Sequence, residues 1–428
     1  MVRRVSPIVC YDRGLDRVAW PAKKRYRWRN EFGEGIHIDI HTKAVQLPAT
    51  YWPQNSAVPP LYQTAAYTYH SVDQVDRIFL GEESGYTYTR GGNPTSETLA
   101  ALVRDLEGGD GAVVAASGMG ALLVGIMTLA PKPAPILLAR EVYGGSVGLV
   151  RQVLEPLGYS LNWVDAHDEM AIRAALSKGP DLLLVETISN PLGRVSPLDT
   201  LILAAHQAGC KVLVDNTFAT PYHARPLQWG ADLVMHSVTK FIGGHSDLIL
   251  GVLVGSDKWV DRAASLINVM GVTPDPYASW LAFRGARTLA LRMERASENA
   301  MTLAAMLKNH AALVKVYYPG LTSHPDYAVA RRILSRGFGA IFALHLKGGR
   351  RAVERFAAGL KLVPLVPSLG DVMTTISHPA VASHRELSPE EQGTVGIDDG
   401  VVRVSVGIEN VRDLIEDFGS ALTEAEHV

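Results

Sequence analysis

Five short apolar runs, at residues 112–116, 136–138, 182–185, 212–214 and 233–235, are each followed by polar or glycine-rich residues. Runs of that length, rich in Val, Ile and Leu, fit strands buried on both faces of a mostly parallel sheet. Helical patterns lie between them, as at 170–177 and 198–208. Strand and helix in alternation imply an α/β sandwich. Such a sheet also restricts where chemistry sits, because ligands bind beyond the carboxyl ends of its strands. Polar candidates fall at those ends: Ser117-Gly118-Met119, Tyr143, Glu186 with Asn190, Asp215, and Ser237 to Lys240.

After residue 276 the pattern changes. One long helical stretch is expected over 276–310, leaving the large domain. Strand-like runs at 340–344, 362–365 and 401–406 then alternate with helices, and an amphipathic helix near 410–422 ends the series. That reads as a smaller α+β domain.

Composition excludes other classes. A net charge of −2 over 428 residues argues against electrostatic capture of nucleic acid or of an anionic membrane. The exception is local: Arg3, Arg4, Arg13, Arg17, Lys23, Lys24, Arg25, Arg27 and Arg29 face only Asp12 and Asp16, which reads as a solvated arm. The two cysteines, Cys10 and Cys210, offer no disulfide framework, so a reducing, cytoplasmic setting is expected. The longest apolar stretch, near 120–130, is shorter than the roughly 20 residues a membrane span needs. His236, His245 and His378 lack metal-ligand spacing and are expected to be structural, with no metal site.

Lys240 stands in Val234-Met235-His236-Ser237-Val238-Thr239-Lys240-Phe241-Ile242-Gly243-Gly244, where an apolar run gives way to hydroxyls, a lysine and paired glycines. Upstream, another run ends in Asp215. A lysine able to form a Schiff base and an aspartate able to hold a pyridinium proton are the groups that pyridoxal 5'-phosphate (PLP) chemistry needs most. Gly118-x-Gly120 is not a dinucleotide fingerprint, because the third glycine and a suitably spaced acid are missing.

Further segments fit the same chemistry. They are Tyr88-Thr89-Arg90-Gly91-Gly92-Asn93-Pro94-Thr95, Ser117-Gly118-Met119, Tyr143-Gly144-Gly145, Glu186-Thr187-Ile188-Ser189-Asn190-Pro191, Asp215-Asn216-Thr217-Phe218-Ala219-Thr220-Pro221, Ser368-Leu369-Gly370 and Arg403-Val404-Ser405-Val406-Gly407-Ile408-Glu409. Together with the Lys240 segment they resemble the Cys/Met-metabolism PLP enzymes, which include cystathionine γ-synthase, cystathionine γ- and β-lyases, methionine γ-lyase and O-acetylhomoserine sulfhydrylase. The resemblance runs in order over roughly residues 40–425.

It implies an aspartate-aminotransferase-like (fold type I) α/β chain, with a mostly parallel seven-stranded sheet and a smaller α+β C-terminal domain. The implied divisions are an arm and inter-subunit segment over 1–91, a large PLP-binding domain over 92–290 and a C-terminal domain over 291–428. Lys240 would carry the cofactor and later shuttle a proton between Cα and Cβ. Asp215 would pair with the pyridine nitrogen. Tyr143 would stack on the ring and act as general acid for the leaving group. Asn190 would bond the phenolic oxygen, with Glu186 on the same strand end. The N–H groups of Gly118 and Met119 and the hydroxyls of Ser237 and Thr239 would take the phosphate. Tyr88 and Arg90 would reach the phosphate of a neighbouring subunit, so the active unit would be a dimer and the assembly commonly a tetramer. Arg403 would clamp the substrate carboxylate, helped by Ser368.

The family eliminates or replaces groups at the β- or γ-carbon of amino acids, and the shared residues do not separate these outcomes. Four departures bear on the substrate. Gly148 stands where cystathionine-handling members commonly carry an arginine. Gly145 stands where methionine γ-lyases usually carry a cysteine. Pro367 replaces a glutamate of many cystathionine lyases. Met373 and Ala382-Ser383-His384 replace the Glu and Met-Thr-His more usual in methionine γ-lyases. The expected reaction is therefore γ-elimination or γ-replacement on a methionine- or homoserine-like amino acid, with a γ-lyase favoured. Cystathionine γ-synthase, cystathionine γ-lyase or O-acetylhomoserine sulfhydrylase activity is the alternative. A non-catalytic PLP-binding regulator is a remote one.

Overall fold

The computed structural model describes residues 38–46, 55–385 and 387–426. The basic arm at residues 3–29 and Cys10 lie outside them. Seven strands form the larger sheet: β1 (Gly111–Ala115), β2 (Pro135–Ala139), β3 (Ser160–Val164), β4 (Leu182–Glu186), β5 (Lys211–Asp215), β6 (Leu233–Ser237) and β7 (Gly251–Gly255). Their order is β1-β7-β6-β5-β4-β2-β3. The pairs from β6 through β3 are parallel, and β7 alone runs against its neighbours. The five apolar runs all became strands. β3 lacks such a run because it is an edge strand, with Ser160 and Asn162 facing solvent.

Every residue of β4 is buried, as the absence of polar alternation along its leucines requires. Helices cover the sheet. The helix Gly118–Leu129 starts where the Ser117 hydroxyl accepts the Gly120 N–H at 3.0 Å. The helix Pro94–Glu107 starts at Asn93, with proline in its first turn.

The smaller sheet contains β8 (Leu313–Tyr317), β9 (Ile341–Leu346), β10 (Thr375–Ser377) and β11 (Val401–Ser405), in the order β10-β11-β9-β8, antiparallel throughout. It has its own apolar cluster around Phe342, Phe356 and Phe418, with the helices Gly349–Gly359 and Val411–Ala425 packed on it.

Two expectations need correction. The single helix over 276–310 is two, Pro276–Ala286 and Leu289–Leu307. The Gly285 carbonyl accepts the Thr288 N–H, the Thr288 hydroxyl and the Arg292 guanidinium, which takes it out of the regular helix ladder. The run at 362–365 is not a strand. Asp417 accepts the N–H groups of Lys361 and Leu362 at 2.8 and 3.1 Å, and only Leu365 bridges to Ile376. Among the described residues, no helix is long and apolar enough to cross a membrane.

Candidate active site

Six strands of the large sheet point the same way, and the polar residues gather at their carboxyl edge. Asp215 ends β5, with Glu186 of β4 and Met235 of β6 as register partners. Its Oδ1 accepts the Thr217 N–H at 2.9 Å. Burial drives its carboxyl above the usual range, while hydrogen bonds from Thr217 and the nearby His236 pull the other way. Among the described residues it forms no ion pair.

β6 ends at Ser237, and Lys240 follows in a turn whose N–H donates to the Ser237 carbonyl at 3.1 Å. A β-carbon on Gly118 would lie 2.8 Å from Ser237 Oγ, so the strand end and the helix N-terminus meet closely. The free N–H groups of Gly118 and Met119 and the Ser237 hydroxyl therefore share one small region. The Thr239 hydroxyl is engaged elsewhere: it donates to the Leu250 carbonyl at 3.2 Å and accepts the Leu250 N–H at 3.1 Å.

Lys240 Nζ donates to Ser368 Oγ at 3.1 Å. Burial lowers its pKa, and the Arg403 charge lowers it further. Arg403 comes from β11 of the other sheet and is 3% exposed. One terminal nitrogen donates to Asn190 Oδ1 at 3.2 Å and the other to the Ser368 carbonyl at 2.8 Å. Its Nε is buried without a partner. Burial pulls its pKa down to about 10. Lys240, Ser368, Arg403 and Asn190 thus form one chain of contacts that crosses from the large sheet to the small one.

Tyr143 follows β2. Its N–H donates to Glu186 Oε1 at 2.5 Å, which sets the turn that carries the phenol. Burial and the neighbouring Asp215 push Glu186 well above the carboxylate range. The Tyr143 ring is partly exposed, and a side chain at Gly145 would run into it. Tyr88 and Arg90 lie apart. Tyr88 is 50% exposed, and the Arg90 guanidinium sits 5.7 Å from its ring and donates to the Asn268 carbonyl at 3.0 Å. Among the described residues, no hydrogen bond or ion pair joins either to Lys240, Asp215 or Arg403.

The family model for Cys/Met metabolism PLP-dependent enzymes matches residues 41–423. The chain belongs to that family. It is 38% identical over 377 residues to an L-methionine γ-lyase of Pseudomonas putida, covering 87% of this chain and 94% of that relative. It is 36% identical over 389 residues to an O-succinylhomoserine sulfhydrylase of Pseudomonas aeruginosa, covering 91% and 96%. A cystathionine γ-synthase from Xanthomonas oryzae pv. oryzae, solved in complex with cystathionine, superposes with a TM-score of 0.86 at 36% identity, covering 92% of this chain and all of that one.

PLP is the cofactor of this family, and the residues present fit it. Asp215 is a half-buried acid without a bonded cation among the described residues, and a protonated ring nitrogen is a group that would offset its desolvation. Arg403 is a buried guanidinium bonded only to neutral acceptors, with one N–H unused, which suits an incoming carboxylate. Lys240 is an amine of lowered pKa that bonds Ser368, whose carbonyl Arg403 holds.

Three further groups pack around this site, of which Glu107 and Arg292 were not among the sequence candidates. His384 is 2% exposed, hydrogen-bonds the Asn190 backbone and meets Ser383 Oγ at 2.9 Å through Nδ1. Burial and the Arg403 charge lower its pKa to about 4, so it is neutral. Glu107 Oε2 lies 2.9 Å from His236 Nε2, with both side chains fully buried. Arg292 binds the turn after Lys240. Its signal is a charged residue inside the apolar stripe formed by Leu289, Met293 and Ala296.

Proposed function

We propose that this chain catalyses γ-elimination or γ-replacement on a sulfur- or homoserine-type amino acid with an uncharged side chain, and that methionine γ-lyase-like carbon–sulfur cleavage is its first activity. The observation that carries this reading is the contact chain Lys240–Ser368–Arg403–Asn190. It sets an amine of lowered pKa beside an unpaired carboxylate receptor.

When bound, PLP supplies a ring that stabilises negative charge at the substrate Cα. Asp215 keeps the proton on the ring nitrogen. Lys240 holds the cofactor, then moves the proton between Cα and Cβ, which needs an amine that is neutral near pH 7. Arg403 binds the α-carboxylate through its planar fork, and Ser368 and Asn190 orient that fork. Tyr143 would lie against the ring and would supply a proton to the leaving group. Gly118, Met119 and Ser237 bind the phosphate; Thr239 joins them only if its hydroxyl turns away from Leu250.

Neutral positions support an uncharged substrate. A β-carbon on Gly148 would meet only the Gln152 amide, 3.9 Å away, and Pro367 carries no charge. A replacement reaction is the second reading, because the γ-lyase and sulfhydrylase relatives lie within two percentage points of identity. The exposure of Tyr88 and its separation from Lys240 support an active dimer, with Tyr88 and Arg90 serving the partner's phosphate and residues 1–91 forming the inter-subunit segment. Residues 92–290 then carry PLP and 291–428 form the C-terminal domain, with two dimers assembling as a tetramer. A buried free thiol at Cys210 fits a cytoplasmic location.

The test is 2-oxobutyrate release from L-methionine by the purified yellow protein without added thiol. Release that vanishes in Lys240→Ala establishes the γ-lyase. No release, with borohydride trapping pyridoxyl on Lys240, moves the assignment to replacement, assayed with O-acetylhomoserine and a thiol.

A further inference from the structure

The turn after Lys240 is a junction. The Gly243 N–H donates to Val238 O at 2.8 Å, and the Gly244 N–H donates to Lys240 O at 2.8 Å. From the loop that carries Ser368, Gly370 packs so closely that a β-carbon would lie 2.6 Å from the Phe241 nitrogen, and its φ of +83° also favours glycine. The Val372 N–H of the same loop donates to Gly244 O at 3.1 Å. The third party is Arg292, on the helix Leu289–Leu307, only 7% exposed.

All three nitrogens of Arg292 are committed. One terminal nitrogen donates to the Phe241 carbonyl at 2.6 Å. The other donates to the Ile242 and Gly285 carbonyls at 3.3 and 2.8 Å, and Nε donates to Thr288 Oγ1 at 3.1 Å. Among the described residues it forms no salt bridge. Keeping an unpaired cation buried is costly, so the bonds it makes must offset a large desolvation. An apolar side chain there would take the donor from the Phe241 and Ile242 carbonyls, while Gly285 would keep its bonds from Thr288. A lysine has a point charge and three donors, and cannot reproduce a planar fork. Two of the carbonyls belong to the residues immediately after Lys240.

We propose that Arg292 is a positioning residue for Lys240: it clamps the carbonyls of Phe241 and Ile242 to the break between two helices and so fixes where the reactive amine stands. The proposal rests on Lys240 being the reactive amine, and it extends that reading to a residue outside the contact chain. The clamp joins three parts of the fold at one turn. Ser368 meets the amine from one side, Gly370 packs on its backbone, and Arg292 holds the residues that follow. Movement of the turn would therefore change the Lys240–Ser368 contact even with both side chains intact.

The test compares holoenzyme with Arg292→Lys, Arg292→Met and Thr288→Val. Three readouts are taken: hydrogen exchange at the Gly243 and Gly244 amides, the pH midpoint of the cofactor absorbance change, and kcat with KM. The expected result is that Arg292→Lys lowers protection of those two amides about tenfold while β4 and β5 amides keep theirs. It shifts the absorbance midpoint and lowers kcat about tenfold with KM nearly unchanged. Thr288→Val moves each readout in the same direction by less. If Arg292→Met does not fold, these two variants decide. Wild-type exchange at Gly243 and Gly244 in both overturns the clamp. Raised exchange with an unmoved midpoint and kcat overturns the positioning role and leaves a structural one. Borohydride labelling of the wild type separates this from failure of the parent reading, since a pyridoxyl mass away from Lys240 sinks the Lys240 assignment whatever the exchange shows.

Discussion

The Lys240–Arg403 centre and the Tyr88–Arg90 segment contrast in one respect: how much of each is finished within a single chain. The centre is buried at Arg403 and half-buried at Lys240, and it is cross-linked between two sheets, with Arg403 held by Asn190 and by Ser368. The segment is open, with half of Tyr88 exposed and Arg90 resting on a backbone carbonyl. A charge taken out of water needs partners nearby, so the chain folds tightly around Arg403. An exposed arginine needs none. The contrast separates a centre that the described residues close from a segment that they leave open.

Breaking the centre should have the largest effect. Lys240→Ala should take 2-oxobutyrate release below detection and remove borohydride labelling, while the secondary structure by circular dichroism stays intact. Arg403→Met comes next. Truncating a buried charge that meets a carboxylate costs about 2–4 kcal/mol in kcat/KM, expressed mostly in KM. Steady-state kinetics on L-methionine or O-acetylhomoserine check this, and an unchanged KM would assign the carboxylate to another group.

Arg90→Ala sharpens the other half of the comparison. It should weaken PLP affinity by about 1.5–3 kcal/mol, the value of a hydrogen bond to a charged group, measured by fluorescence titration. Mixed with Lys240→Ala and allowed to exchange subunits, it should restore activity in about a quarter of the sites, because each hybrid dimer rebuilds one intact site. No recovery from hybrids shown to form would place Arg90 in its own subunit's site.

The smallest effect is expected at His384. Gln can still donate to the Asn190 backbone, so His384→Gln should retain more activity than His384→Ala. The stability profile gives a second reading. The ring has a folded pKa of about 4 against an ordinary 6.5. Between those values the unfolded chain binds a proton that the native one does not, so stability is full above pH 6.5 and is lost as pH falls toward 4. His384→Gln should flatten that part of the urea-midpoint profile. It should not remove it, because burial also lowers His223, to about 3.

Much of the large sheet was legible because a strand buried on both faces must be apolar, and such runs announce themselves in β2, β4, β5 and β6. The candidates at the edge of that sheet stand at or after its strand ends, whereas Ser368 and Arg403 came from the family resemblance. Less could be read in the smaller sheet. The exposed leucines at 362 and 365 imitate a strand, and nothing local shows that Asp417 will take the backbone N–H groups there. The helix break at Thr288 was hidden for a similar reason, since it depends on which partners the Gly285 carbonyl finds.

By itself, then, the sequence determined the α/β alternation and the family, and it offered Lys240 and Asp215 as candidates by their chemistry, because strand periodicity and side-chain chemistry are local properties; Asn190, Ser368 and Arg403 came as candidates from the family resemblance. The tertiary structure decided that Ser368 meets Lys240 Nζ, that Arg403 bonds both Asn190 and Ser368, that Thr239 turns to Leu250, and that Arg292 grips the turn beyond Lys240. Each of these joins residues that separate strands, loops and helices bring together. A hydrogen bond needs its two atoms within about 3.2 Å and aligned, and only the folded chain sets those distances.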